Sequence, residues 1–114
     1  MPNYKKGMIL RCDFDGNVEP EMRGTRLVVV ISDIERNNLA TIIPLMKGPR
    51  NNPVPYIVEL SHGYEDDHKI YYYARCDLLC SVRSGRLTDL NLSMDENDMD
   101  AITQGIKEVL NFFI

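Results

Sequence analysis

The chain has 114 residues, is 44% apolar and 26% charged, and carries a formal net charge of −4. That length suits one hydrophobic core rather than two, no apolar run approaches the length that crosses a bilayer, and a strongly basic nucleic-acid footprint is absent. The charge is uneven: residues 89–114 contribute −5 and residues 1–88 contribute +1, so the acidity sits in the tail and the body can still present a local basic groove.

In chain order, the lysines after Met1 are followed by no apolar segment of signal-peptide type, so the expected location is the cytoplasm. Gly7 to Asp15 alternates, with Met8, Leu10, Cys12 and Phe14 on one face, which predicts a half-buried strand. Gly16 to Gly24 reads as a polar loop. Leu27 to Ser32 is an apolar, β-branched run that predicts a strand buried on both faces, with Arg26 at its mouth. Asp33 to Asn38 reads as a turn. Leu39 to Met46 predicts another apolar strand, and Pro44 within it implies a sheet edge or a bulge. Lys47 to Pro53 reads as a loop, Val54 to Leu60 as an alternating strand and Ser61 to Asp67 as a charged turn. Lys69 to Arg75, with three consecutive tyrosines, has strand propensity. Cys76 to Leu79 predicts a short helical turn and Ser81 to Leu87 a short strand around Gly85.

The last segment differs. Ser93 and Glu96 have the spacing of a capping box, and Met99, Ile102, Ile106, Val109, Leu110 and Phe113 recur at helical spacing, predicting one amphipathic helix from about Asp95 to Phe112. The fold class is therefore mainly β, or α+β by helix content: a strongly curved antiparallel barrel or half-barrel of five to seven strands closed by a C-terminal helix. Cys12, Cys76 and Cys80 are expected as free thiols. A zinc site from Cys76, Cys80 and His62 or His68 is the alternative, although no second cysteine pair supports it.

Taken in order, Gly7-x-Ile9, Glu21-x-x-Gly24-x-Arg26, the following Val-Val-Val-Ile-Ser, the Asn37 region, Ile43-Pro44-Leu45, and Arg86-Leu87-Thr88-Asp89 before a terminal helix resemble the MazF/PemK/Kid toxin family. The resemblance spans nearly the whole chain and implies a single toxin domain over residues 1–114 with an SH3-like, CcdB-type barrel. It further implies a homodimer and an endoribonuclease that cuts single-stranded mRNA at short sequences without a metal or other cofactor, using the 2′-hydroxyl as nucleophile. The implied partners are single-stranded RNA, an antitoxin whose acidic disordered tail lies in the RNA groove, and operator DNA through the antitoxin complex. No membrane is implied.

Attack of a 2′-oxygen on a phosphate requires proton transfer and cover for the charge that builds on the phosphorane. The resemblance assigns this to Arg26. A guanidinium stays protonated in proteins, so its role is electrostatic more than basic. Glu21 is the candidate to orient it or relay a proton, the alternative being an exposed loop carboxylate. Arg23, Thr25, Ser32, Met46, Lys47 and Asp77 are the candidate substrate contacts, with solvated surface charge the alternative for Arg23 and Lys47. The Tyr71–Tyr73 run offers a ring for base stacking or for the core. His62 and His68 match no catalytic position of the family and read as solvated loop residues.

Two departures stand out. Leu27 replaces the family's proline after the arginine, and Met46 stands where the family has threonine or serine. A thioether donates no hydrogen bond. Thr41 lies on the other strand face by parity, leaving Ser32 as a substitute. The alternative of another class is thus a catalytically weakened or inactive binding module on the same barrel, engaging an antitoxin or a protein target. A hydroxyl or cation facing Arg26 beside Met46 would discriminate between the two.

Overall fold

The structure is a computed structural model that describes residues 4–14, 24–32, 38–47, 54 and 56–113, with side chains as far as residue 111. The loop carrying Glu21 and Arg23, most of the Asp33–Asn38 turn, the loop after Lys47 and the Phe113 side chain lie outside the described residues. Seven antiparallel strands follow one another: β1 Met8–Asp13, β2 Thr25–Val30, β3 Leu39–Met46, β4 Ile57–Asp66, β5 Lys69–Arg75, β6 Cys80–Arg83 and β7 Leu87–Ser93. A 3-10 turn at Cys76–Leu78 precedes β6, another at Ser84–Arg86 precedes β7, and α1, Glu96–Phe113, ends the chain.

The sheet runs β4-β5-β3-β2-β1-β7, and β6 adds to β3. β2 is central because all four residues Leu27–Val30 are fully buried. Leu27 and Val29 join Ile43, Leu45, Met99 and Ile102 in one core cluster, under the helix. Val28 and Val30 join Leu10, Cys12, Phe14 and Ile42 in a second cluster on the other face. A strand with apolar residues at every position satisfies two cores at once, as its sequence predicts.

The sheet curls into a half-barrel with the terminal helix. Arg11 on β1 makes a two-pronged ion pair with Asp66 on β4, at 2.9 Å from Nε and 2.5 Å from Nη2. These strands are four places apart in the sheet order. In a flat sheet that would be roughly 19 Å, so the contact is made only because the sheet bends round on itself.

The structure corrects several expectations. β3 is not an edge strand: β2 lies on one side and β6 and β5 on the other. Its pairing with β6 ends at Ile42, and its pairing with β5 begins at Leu45. Pro44 falls in the gap between those ladders, where a residue without an N–H costs no cross-strand bond on that side. Ser61–Asp66 is strand, not turn. β4 continues through a register shift between Glu59 and Tyr64 and pairs Tyr64 with Tyr71 and Asp66 with Lys69. The two-residue turn that follows has Asp67 and His68 at φ 51° and 65°, the left-handed pair a tight hairpin requires.

β7 is hidden in the sequence. Its ladder with β1 shifts register between Ile9 and Leu10, with Asn91 at φ 57°, and its leucines serve both cores, Leu87 one cluster and Leu90 and Leu92 the other, so no single face reads as apolar along the strand. The helix starts at Glu96, so Ser93 is the last residue of β7 rather than a cap. Asp95 takes the capping place, its carbonyl accepting the Met99 N–H at 3.0 Å.

Candidate functional site

The site lies where β3 leaves the sheet. Pairing between β2 and β3 ends at Val28 and Pro44, and pairing between β3 and β5 ends at Met46 and Tyr73. Beyond these pairs β2 and β5 flank an opening. Gly24, Thr25 and Arg26 line it from β2, Leu45, Met46 and Lys47 from β3, and Lys69 and Tyr71 from β5, enclosing about 400 Å³. An adjoining hollow of about 400 Å³ shares Thr25, Lys69 and Tyr71 and adds Arg11, Asp66 and Asp67. The two form one groove across the mouth of the half-barrel.

Three cationic side chains, Arg26, Lys47 and Lys69, line the first hollow without a carboxylate among its described lining residues. Gly24 gives the chain its turn into β2 at φ 75°, with open space around it, and β1 fixes Arg26 opposite Cys12. Arg26 is half-buried, Thr25 exposed and Lys47 exposed. The Arg11–Asp66 pair joins β1 to the end of β4, just before the turn that leads to Lys69. That pair lowers the Asp66 carboxyl below its ordinary value, the Arg11 hydrogen bond being the main cause, and raises Arg11.

Tyr71 is buried at 3% exposure and belongs to the core cluster of Leu27 and Leu45. Burial raises its phenol above the ordinary tyrosine value. The Arg26 charge and a hydrogen bond from the Leu27 backbone act in the opposite direction. Of the tyrosine run, Tyr71 is therefore core with its hydroxyl at the groove, Tyr72 is 43% exposed, and Tyr73 is half-buried.

Arg26, Thr25, Met46 and Lys47 are thus brought together, as the sequence expects. Ser32 is not with them: it follows the far end of β2, six residues from Arg26, roughly 20 Å along the strand. Asp77 lies in the 3-10 turn and accepts two bonds from Arg75, at 2.7 and 2.5 Å, away from the groove lining. Sequence reasoning missed Lys69 and the Tyr71 hydroxyl because it ended β4 six residues early. The Asp67-His68 turn was the signal that could have placed them.

His68 is an exposed turn residue as expected, but His62 is not a loop residue. His62 is on β4, with Nδ1 3.0 Å from the Gly63 carbonyl and Nε2 3.0 Å from Asp95, and its pKa is raised, first by the Gly63 contact and then by Asp95 against some desolvation. Beside it Asp98 is buried and accepts Ser61 N–H at 2.8 Å, Ser61 Oγ at 2.9 Å and Tyr64 hydroxyl at 2.9 Å. His62, Asp95 and Asp98 lie close enough to share an ion. Their place at a helix N-terminus instead favours the negative charge they already supply, and the donors around Asp98 already engage both of its oxygens.

The alternative zinc site is overturned. Cys76 sits in one core cluster and Cys80 packs against the other, and Cys12, Cys76 and Cys80 are free thiols. Burial pushes the Cys12 and Cys76 thiols up to about 12. No helix of the described residues is long and apolar enough to cross a membrane.

Solved structures share this architecture. An endoribonuclease in complex with its cognate antitoxin from Mycobacterial species aligns with a TM-score of 0.72 at 19% identity, covering 97% of this chain and 96% of that one. MazF from Deinococcus radiodurans aligns at 0.73 and 15% identity, over 97% and 99% of the two chains. A MazE–MazF complex from the same organism aligns at 0.66 and 16% identity, over 96% and 97%. At these identities the likeness establishes the fold. No curated protein matches the sequence. The family described as PemK-like, MazF-like toxin of type II toxin–antitoxin system matches residues 5–110, and with that match over nearly its whole length the chain belongs to this toxin family.

Proposed function

We propose that the protein is a metal-independent endoribonuclease toxin, acting in the cytoplasm on single-stranded mRNA at short sequences. The observation that carries this is the groove lined by Arg26, Lys47 and Lys69. Three cations around one opening can hold successive phosphates of a single strand, and Arg26, the one fixed in a strand between β1 and the opening, faces the charge that develops during reaction. In that reaction the 2′-oxygen loses its proton and attacks phosphorus, the bond to the 5′-oxygen breaks, and the departing oxygen takes up a proton. The products are a cyclic phosphate and a free 5′-hydroxyl.

The same groove suits the acidic tail of an antitoxin, which would block RNA by charge complementarity. Two of the similar structures are complexes, one of an endoribonuclease with its cognate antitoxin and one of MazF with MazE, which supports such a partner here. A two-fold dimer, and operator DNA reached through the antitoxin, complete the reading.

Purified protein incubated with a long single-stranded RNA in the presence of a chelator, followed by mapping of the new ends, tests the proposal. Cuts at one short recurrent sequence are expected, and intact RNA at micromolar enzyme would overturn it. Met46 in the lining favours a second reading, a barrel that binds RNA or antitoxin without cutting. Tight binding of a non-cleavable RNA together with an uncut substrate would select it.

A further inference from the structure

We propose that the Tyr71 hydroxyl is the neutral hydrogen-bond donor to the scissile phosphate, a catalytic residue of the groove that works beside Arg26; this rests on the nuclease reading above. The cations of the groove attract phosphate wherever it sits. A directional donor is what distinguishes the phosphorane from the ground state. Met46 supplies none. Thr25 carries a hydroxyl in the lining but is exposed at the first position of β2, next to a glycine in a left-handed conformation, and Ser32 is at the wrong end of the strand.

Tyr71 meets the requirement. Its ring is locked in the core with Leu27 and Leu45, while its residue lines both hollows of the groove. The Arg26 charge and the Leu27 backbone both act on the phenol, which sets its oxygen beside the arginine. The phenol has a proton to give, and no hydrogen bond among the described residues takes it. The donor is thus positioned by the core before substrate arrives and needs no reorganisation at the moment of reaction. Tyr71 transfers no proton in this assignment; it donates a hydrogen bond to a non-bridging phosphate oxygen as negative charge accumulates there.

Single-turnover cleavage of single-stranded RNA by wild type, Tyr71→Phe, Met46→Thr and the double variant tests this, with affinity for the 2′-O-methyl analogue and melting temperature measured on each. Tyr71→Phe should slow cleavage about 10²–10³-fold, with binding of the uncleavable strand within about threefold, since the groove cations that hold the strand are unchanged. Adding Met46→Thr to Tyr71→Phe should restore at least about a tenth of the lost rate, because it returns a hydroxyl to the same lining. A Tyr71→Phe protein cutting within about threefold of wild type overturns the assignment and leaves the nuclease reading standing. A wild type that cuts nothing overturns both. If Tyr71→Phe melts several degrees lower, the double variant decides: recovery supports the donor role and no recovery overturns it.

Discussion

Arg26 illustrates how a single side chain acquires a role from its strand. It extends from the end of a run buried on both sides, so the backbone beneath it cannot shift without opening two cores, yet the guanidinium itself is only half-buried. Arg26→Ala should therefore remove RNA cleavage, by at least about 10²-fold, while leaving the melting temperature within a few degrees of wild type. An alanine variant that still cuts would place the chemistry elsewhere. His62 gives a pH-dependent counterpart. Its folded pKa lies above the ordinary value of 6.5, so the contact with Gly63 and Asp95 contributes fully below pH 6.5 and is lost as pH rises through the folded value. An NMR titration should give a His62 midpoint above 6.5; a midpoint at or below it would show that neither ring contact persists in solution.

At the scale of elements, the junction of β4 and α1 is the point to probe. Asp98 gathers two side-chain hydroxyls and a backbone N–H from β4. Asp98→Ala would strand these donors and should destabilise the fold by about 2–4 kcal/mol, read as a shift in urea midpoint at constant slope. About two turns further along α1, Gly105 has no room for a methyl: an added Cβ would stand 2.8 Å from both Cys76 Sγ and Val58 Cγ2. Helix propensity favours alanine by about 1 kcal/mol, whereas overpacking costs about 1–3 kcal/mol. The second effect outweighs the first, so Gly105→Ala should lower the melting temperature, and a rise would mean that the helix slides outward freely.

For the whole molecule, the uneven charge predicts how the groove responds to salt. If Arg26, Lys47 and Lys69 each neutralise one phosphate, the logarithm of RNA affinity should fall with the logarithm of salt at a slope of about −2, or roughly 20-fold between 50 and 200 mM. A slope near zero would remove the groove from the binding surface. Most of this architecture was legible in the sequence. The doubly buried β2, the extents of β3 and β5 and the single helix follow from periodicity, because burial there repeats without interruption. What stayed hidden was governed by non-local pairing: β7 gives Leu87 to one core and Leu90 and Leu92 to the other, polar residues such as His62 and Glu65 disguise the outer half of β4, and Lys69 reaches the groove only once that hairpin is placed. Pro44 misled for the same reason, since only the change of strand partner shows why it is tolerated inside the sheet.

That change of partner has a consequence for how the protein comes apart. β3 is held by β2 on one side and by β6, then β5, on the other, so it leaves the sheet only when partners on both sides let go. Its backbone protons, those of Ile42 and Ile43 in particular, should exchange with deuterium only through global opening, whereas the β4–β5 hairpin tip at Asp67–His68 should exchange by local fraying orders of magnitude sooner. The groove would then have one wall that moves readily and one that hardly moves at all: Lys69 rides on the first, and Arg26 stands on β2 beside the second. A strand of RNA arriving there would meet a fixed charge and a yielding one, and only the yielding side need give way to let bases of different size pass.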